Sequence, residues 1–133
     1  MNQDCIFCKI ISGEVPSYKI WESETHLAFL GIFPSTKGMT VVVPKKHLPS
    51  YVFELNEENY AGLMGAAREV GLLLDKKLGA ERTFLLTEGL EVDHAHVKLY
   101  PFYGGFPDRD MLHDGKRASD EELEEVKEII VSK

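Results

Sequence analysis

Residues 93 to 101 read Asp93-His94-Ala95-His96-Val97-Lys98-Leu99-Tyr100-Pro101, an alternation of basic and apolar side chains. In a strand, the period of two puts His94, His96 and Lys98 on one face and Ala95, Val97 and Leu99 on the other. An imidazole exchanges a proton near neutral pH and can attack phosphorus, and a neighbouring ammonium offsets phosphate charge. The same alternation also describes a strand whose polar face is merely solvated. Cys5-x-x-Cys8 is the second cluster that could do chemistry. Its spacing serves thiol redox chemistry, half of a zinc site, or two unrelated thiols. A closed zinc site wants four ligands, so two would have to come from elsewhere in the chain.

These residues need elements to carry them. From Cys5 to Pro16 the pattern predicts a short helical turn that runs into the turn signal Ser12-Gly13-Glu14. Strands follow at Tyr18 to Trp21 and His26 to Leu30, joined by Glu22-Ser23-Glu24. Met39-Thr40-Val41-Val42-Val43 is a continuous β-branched run stopped by Pro44, which suits a strand covered on both faces. After Asn56, a candidate N-cap, Tyr60, Leu63, Met64, Ala67, Leu74 and Leu78 recur near helical spacing until Gly79, predicting one long helix near residues 57 to 78. Thr83 to Thr87 and Ala95 to Tyr100 read as a hairpin that carries the basic face. The stretch from Phe106 to Ala118 is loop-like. Ser119-Asp120-Glu121-Glu122 has the capping-box spacing and opens a last helix at about 119 to 131, with Leu123, Val126, Ile129 and Ile130 as its stripe. Strands without regular β-α-β alternation predict an α+β domain on a mostly antiparallel sheet.

With 133 residues, 44% of them hydrophobic, the chain can bury one core but not two comfortable ones, so 1–133 is expected to be a single domain. No apolar run reaches the roughly 18 residues of a membrane helix, and Met1-Asn2-Gln3-Asp4 lacks a basic leader, so a cytoplasmic address is expected. A formal charge of −7 argues against broad nucleic-acid binding, which needs many Lys and Arg acting together. A small phosphorylated ligand at one basic spot fits that charge.

The stretch His94-Ala95-His96-Val97-Lys98-Leu99-Tyr100-Pro101 resembles the signature of the histidine-triad (HIT) superfamily, with two of its three histidines present and Lys98 in place of the third. The resemblance continues through Cys5-Ile6-Phe7-Cys8-Lys9-Ile10, Gly13-Glu14-Val15-Pro16, Ala28-Phe29-Leu30 and Val43-Pro44-Lys45-Lys46-His47, and so covers residues 5 to 101. It implies a HIT-like α+β domain that pairs into a homodimer and binds a nucleotide in a cleft closed by the signature strand. His96 matches the nucleophile, which would form a transient nucleotidyl-histidine at the α-phosphorus. Some members pair two such cysteines with the histidine after Pro-Lys-Lys and the first signature histidine. Those positions are His47 and His94, implying one structural zinc per chain on Cys5, Cys8, His47 and His94, although His47 also suits mere packing near Pro49. His26 and His113 fit no such pattern and read as ordinary surface or loop histidines.

Three positions depart from the resemblance. Gly31 stands where an acidic residue commonly holds the ribose hydroxyls, leaving Phe7, Phe29 and Ile32 as apolar candidates to enclose a base. Thr87 stands where an asparagine is common and is expected among the nucleotide-binding residues, in a short loop without the usual glycine-glutamine element at phosphate. Lys98 replaces a residue that exchanges protons at neutral pH with one of reference pKa about 10.4, better suited to attract phosphate than to protonate a leaving group. The leading expectation is a nucleotidyl hydrolase or transferase acting on a phosphoramidate or dinucleoside polyphosphate, with His96 and Lys98 at its centre. A non-catalytic nucleotide- or protein-binding module of the same fold is the second. A thiol oxidoreductase is the third, and explains none of the histidines.

Overall fold

The β-branched run that ends at Pro44 lies at the centre of a five-stranded antiparallel sheet in the computed structural model, which describes residues 4–105 and 114–133. The strands are β1 (Lys19–Glu22), β2 (His26–Leu30), β3 (Thr40–Pro44), β4 (Arg82–Leu86) and β5 (Val97–Phe102), in the order β1-β2-β3-β5-β4. All of β3 is buried. Its alternate residues feed two cores, which is why the run shows no polar period. Val42, with Ala28, Leu30, Val97 and Leu99, faces the helix α2 (Glu57–Leu78), which contributes Leu63, Ala66, Ala67, Val70 and Leu74. Val41 and Val43, with Leu27, Phe29 and Tyr100, face Cys5, Phe7 and Cys8 from the helix α1 (Ile6–Ser12) and its entry.

The helix ends follow the capping residues. Asn56 accepts from the Asn59 amide at the start of α2, and Gly79 closes it in the left-handed region at φ 69°. Ser119 accepts from the Glu122 amide and opens α3 (Asp120–Val131), which packs on α2 and β1 through buried Leu123 and Ile130. The Cys5 sulfur accepts from the Cys8 amide and so caps α1. Among the described residues, no helix is long and apolar enough to cross a membrane.

The limits of β5 differ from the expected Ala95 to Tyr100. The segment before Val97 leaves the ladder: the Ala95 amide donates to the Leu48 carbonyl in the loop after β3, and the His94 amide to the Val92 carbonyl within its own loop. The strand instead continues through Pro101, at a level where β3 has ended, because its register with β5 stops at Thr40 opposite Leu99. A residue without an N–H costs least there. β1 starts one residue later than Tyr18, beside an irregular register between Lys19 and Trp21. Of the loop expected from 106 to 118, residues 114–118 run alongside 32–33, where the Gly115 and Ala118 amides donate to the Phe33 and Ile32 carbonyls. The remainder, with His113, lies outside the described residues.

Candidate functional site

Alternation carries past the end of the β5 ladder. Ala95, Val97 and Leu99 point into the α2 core, while His94, His96 and Lys98 lie on the opposite side with Phe7. His94 and His96 are 0% and 2% exposed, so each polar nitrogen needs a partner.

His94 has one at each end. Its Nε2–H donates to the Pro44 carbonyl at 2.9 Å, which leaves the Nδ1 lone pair aimed at Cys5 and Cys8. Burial pushes the imidazole below its ordinary value, so the ring is neutral at pH 7. Its Nδ1 lies 3.3 Å from Cys5 Sγ, 3.5 Å from Cys8 Sγ and 3.2 Å from His47 Nδ1, and His47 Nδ1 lies 3.3 Å from Cys8 Sγ. Burial pushes the Cys5 thiol up. The four donor atoms lie within 4.8 Å of one another, and Cys5, Cys8, His47 and His94 together could hold a metal ion. His26 is not part of this group. It opens β2 and shares a 2.8 Å hydrogen bond with Thr25 Oγ1.

His96 is held differently. Its Nδ1–H donates to the His94 carbonyl at 2.7 Å, its own carbonyl accepts from Thr87 Oγ1 at 2.8 Å, and Phe7 lies edge-on with ring centroids 5.0 Å apart. That tautomer leaves Nε2 with a free lone pair. Burial is the main cause that pushes this imidazole below its ordinary value; nearby Lys98 acts in the same direction, and the hydrogen bond to His94 opposes them. His96 and Lys98 share the wall of a cavity of about 140 Å³ with Phe7, Gly31, Ile32, Phe33, Glu91 and Asp114. Larger clefts, of about 260 and 500 Å³, contain neither His96 nor Lys98.

The structure thus brings Phe7 and Ile32 to this cavity but not the other two residues expected to bind the nucleotide. Phe29 lies beneath Phe7, buried, with ring centroids 5.7 Å apart. Thr87 spends its hydroxyl on the His96 carbonyl. Gly31 has a spatial reason: a Cβ there would meet Met39 Sδ at 2.4 Å, so the methionine fills the volume a side chain would need. Three acidic residues were missed in the sequence. Glu88 pairs with Lys98 at 3.6 Å, and Glu91 and Asp114 line the cavity. The turn pair Asp114-Gly115 is the one sequence signal at the last of these, and it speaks of a bend rather than a ligand.

The HIT domain profile matches residues 12–102. A HIT-like protein of Methanocaldococcus jannaschii is 38% identical over 131 residues, 92% of this chain and 98% of its own length. The adenosine 5'-monophosphoramidase of Schizosaccharomyces pombe is 35% identical over 102 residues, 73% of each chain. In structure, the chain is similar to a hypothetical histidine triad nucleotide-binding protein from Sulfolobus tokodaii, with a TM-score of 0.83 and 32% identity over 96% of this chain and 89% of that one. The fold, the paired histidines before β5 and a profile match over most of the length agree: this chain belongs to the HIT domain family.

Proposed function

We propose that this protein is a nucleotide-binding hydrolase or nucleotidyl transferase that works at an α-phosphate through His96. The observation that carries the reading is the His96 ring itself: buried and neutral, tied down at Nδ1, with its free lone pair at Nε2 and Lys98 on the same cavity wall. Attack by Nε2 forms a P–N bond while the bond from phosphorus to the leaving oxygen or nitrogen breaks. The leaving group takes the electron pair and a proton from solvent. Water or another acceptor then attacks phosphorus, the P–N bond breaks, its electron pair returns to Nε2, and the acceptor's proton goes to solvent. Splitting the displacement into two steps lowers each barrier. The relationship to a phosphoramidase, at 35% identity, supports the same class of substrate. The cavity of about 140 Å³ is smaller than the roughly 300–1,000 Å³ of enclosing ligand sites, so a nucleotide would fill it with part of its body and lie open to solvent elsewhere.

Zinc fits the Cys5, Cys8, His47 and His94 group. Zinc–sulfur bonds of about 2.3 Å and zinc–nitrogen bonds of about 2.0–2.1 Å give a tetrahedron with edges of roughly 3.3–3.8 Å. The sulfur–nitrogen contacts of Cys5 and Cys8 with the two imidazoles lie at 3.3, 3.3 and 3.5 Å, and the nitrogen–nitrogen separation is 3.2 Å. Such an ion would have four protein ligands and no open position, so its contribution would be structural. It would tie α1 and the loop after β3 to the segment that carries His96. The Pro44 carbonyl at His94 Nε2 fixes the ring that faces it.

The protein is further proposed to work as a homodimer. α2 spends its apolar stripe on its own sheet, but β4 is an edge strand with Leu85 48% exposed, and α2 leaves Leu72 exposed. An open edge of this kind can pair with a second copy.

One observation favours the second reading, a binding module without turnover: Lys98 is engaged by Glu88, at the place where a proton donor to the leaving group would help. Both readings meet one experiment. Release of nucleoside monophosphate from a panel of adenylyl and guanylyl phosphoramidates and dinucleoside polyphosphates is followed by chromatography, beside equilibrium binding of the monophosphate. Turnover that is absent in His96→Ala supports the enzyme. Nucleotide binding with no turnover by either protein supports the module, and no binding at all rejects both.

A further inference from the structure

The wall of the His96 cavity is completed by residues beyond the part of the chain that the HIT profile matches. The profile ends at residue 102, yet Asp114 lines the cavity with Gly31, Ile32 and Phe33. Its position is built. The Gly115 amide donates to the Phe33 carbonyl at 3.1 Å and the Ala118 amide to the Ile32 carbonyl at 2.9 Å, so two backbone bonds pin 115–118 against that wall. The approach is close enough to demand glycine next to Asp114: a Cβ on Gly115 would meet the Pro34 carbonyl oxygen at 2.3 Å, and backbone cannot swing aside.

The lining is chemically mixed. His96 and Lys98 supply groups suited to a phosphate, with Glu88 against Lys98 and Glu91 also on the wall. Phe7, Ile32 and Val41 make an apolar wall, and Asp114 adds a carboxylate on the Ile32 side. A carboxylate is an acceptor with two oxygens, which matches two neighbouring hydroxyl donors. Gly31, beside Ile32, offers no side chain, and Met39 Sδ occupies the space one would need.

On the reading of the site proposed above, the geometry points to Asp114 as the residue that selects a ribose: its carboxylate accepts from the 2'- and 3'-hydroxyls of a nucleotide whose phosphate lies at His96 and Lys98. The 114–118 segment is then a specificity element supplied by the C-terminal extension of this chain.

The test is equilibrium binding of AMP and of 2'-deoxy-AMP to the full chain by calorimetry, for wild type, Asp114→Asn, Gly115→Ala and Glu91→Gln. Losing a hydrogen bond to a charged group costs about tenfold to a hundredfold in affinity. Wild type is expected to prefer AMP by about that factor. Asp114→Asn should lower AMP affinity more than that of the deoxynucleotide, which keeps only its 3'-hydroxyl, and so narrow the preference, and Gly115→Ala, which displaces the segment, should lower the preference as well. Glu91→Gln should keep it. If wild type binds both nucleotides equally, or Asp114→Asn keeps the preference, or Glu91→Gln removes it, Asp114 is not the ribose acceptor although the nucleotide site stands. If neither nucleotide binds wild type, the nucleotide reading falls and the inference with it.

Discussion

At the scale of single residues, the site depends on which donor and acceptor each imidazole has already used. His94 gives Nε2–H to Pro44 and keeps Nδ1 for the cysteine cluster; His96 gives Nδ1–H to His94 and keeps Nε2 for chemistry. Two histidines two positions apart thus receive opposite tautomers and separate tasks. Lys98 is the third member of the face, and its ammonium can attract an α-phosphate. Lys98→His is expected to raise turnover of an amine-leaving phosphoramidate by about a hundredfold, the low end of the usual contribution of a positioned acid. Lys98→Met is expected to weaken binding of a nucleoside monophosphate by about tenfold. Steady-state kinetics on both variants check this, and unchanged values in both would put Lys98 outside the site. The basic face was legible from alternation alone, because a period of two survives even where the ladder does not. Which aromatic reaches the cavity was not. Phe7 and Phe29 are both apolar in sequence, and only the packing of α1 over β2 buries the second beneath the first. Asp114 was invisible for another reason: its place is set by backbone hydrogen bonds from residues 115 and 118, which carry no side-chain signature.

At the scale of elements, the N-terminal helix is tied to the sheet by a few side chains. α1 is seven residues long, too short to hold together without tertiary support. Metal at Cys5, Cys8, His47 and His94 would supply that support, and binding free energy at such a site is folding free energy. Protein purified without chelator is expected to hold one zinc per chain by elemental analysis. Cys8→Ser should lose that zinc and lower Tm by at least about 5 °C; equal zinc content and Tm in both proteins would remove the structural role. A second prediction concerns the other sheet face, where His26 at the start of β2 lies against Gly62 of α2. Burial pushes its imidazole below the ordinary value. Above about pH 6.5 it is neutral in both states; below that the unfolded chain takes up the proton first, so the fold loses stability as the pH falls through the depressed value. Urea midpoints from about pH 7.5 to about pH 5 should therefore decline less in His26→Gln than in wild type, and parallel declines would reject this contribution. The long helix over 57–78 and β2 were legible from caps and spacing, whereas β5 was displaced because the Ala95 amide bonds to Leu48, a partner remote in sequence that local pattern cannot reveal.

At the scale of the whole molecule, the sheet joins two cores with different work. The α2 side holds apolar side chains from β2, β3 and β5 and keeps the strand that bears the basic face in place. The α1 side holds the cysteine cluster and the cavity wall. The β4 edge of the sheet is open, and the proposed homodimer predicts a sedimentation mass near twice 15.0 kDa at micromolar concentration. A single species of 15.0 kDa would exclude it. The central claim, that His96 takes up the nucleotidyl group, has a more direct measurement. Protein mixed with an adenosine phosphoramidate, quenched within the first turnovers and digested, is examined by mass spectrometry under conditions that preserve phosphorus–nitrogen bonds. An adenylyl group on the peptide that contains His96, absent from His96→Ala of equal thermal stability, is the predicted result. Turnover by wild type with no such adduct, together with full turnover by His96→Ala, would contradict it.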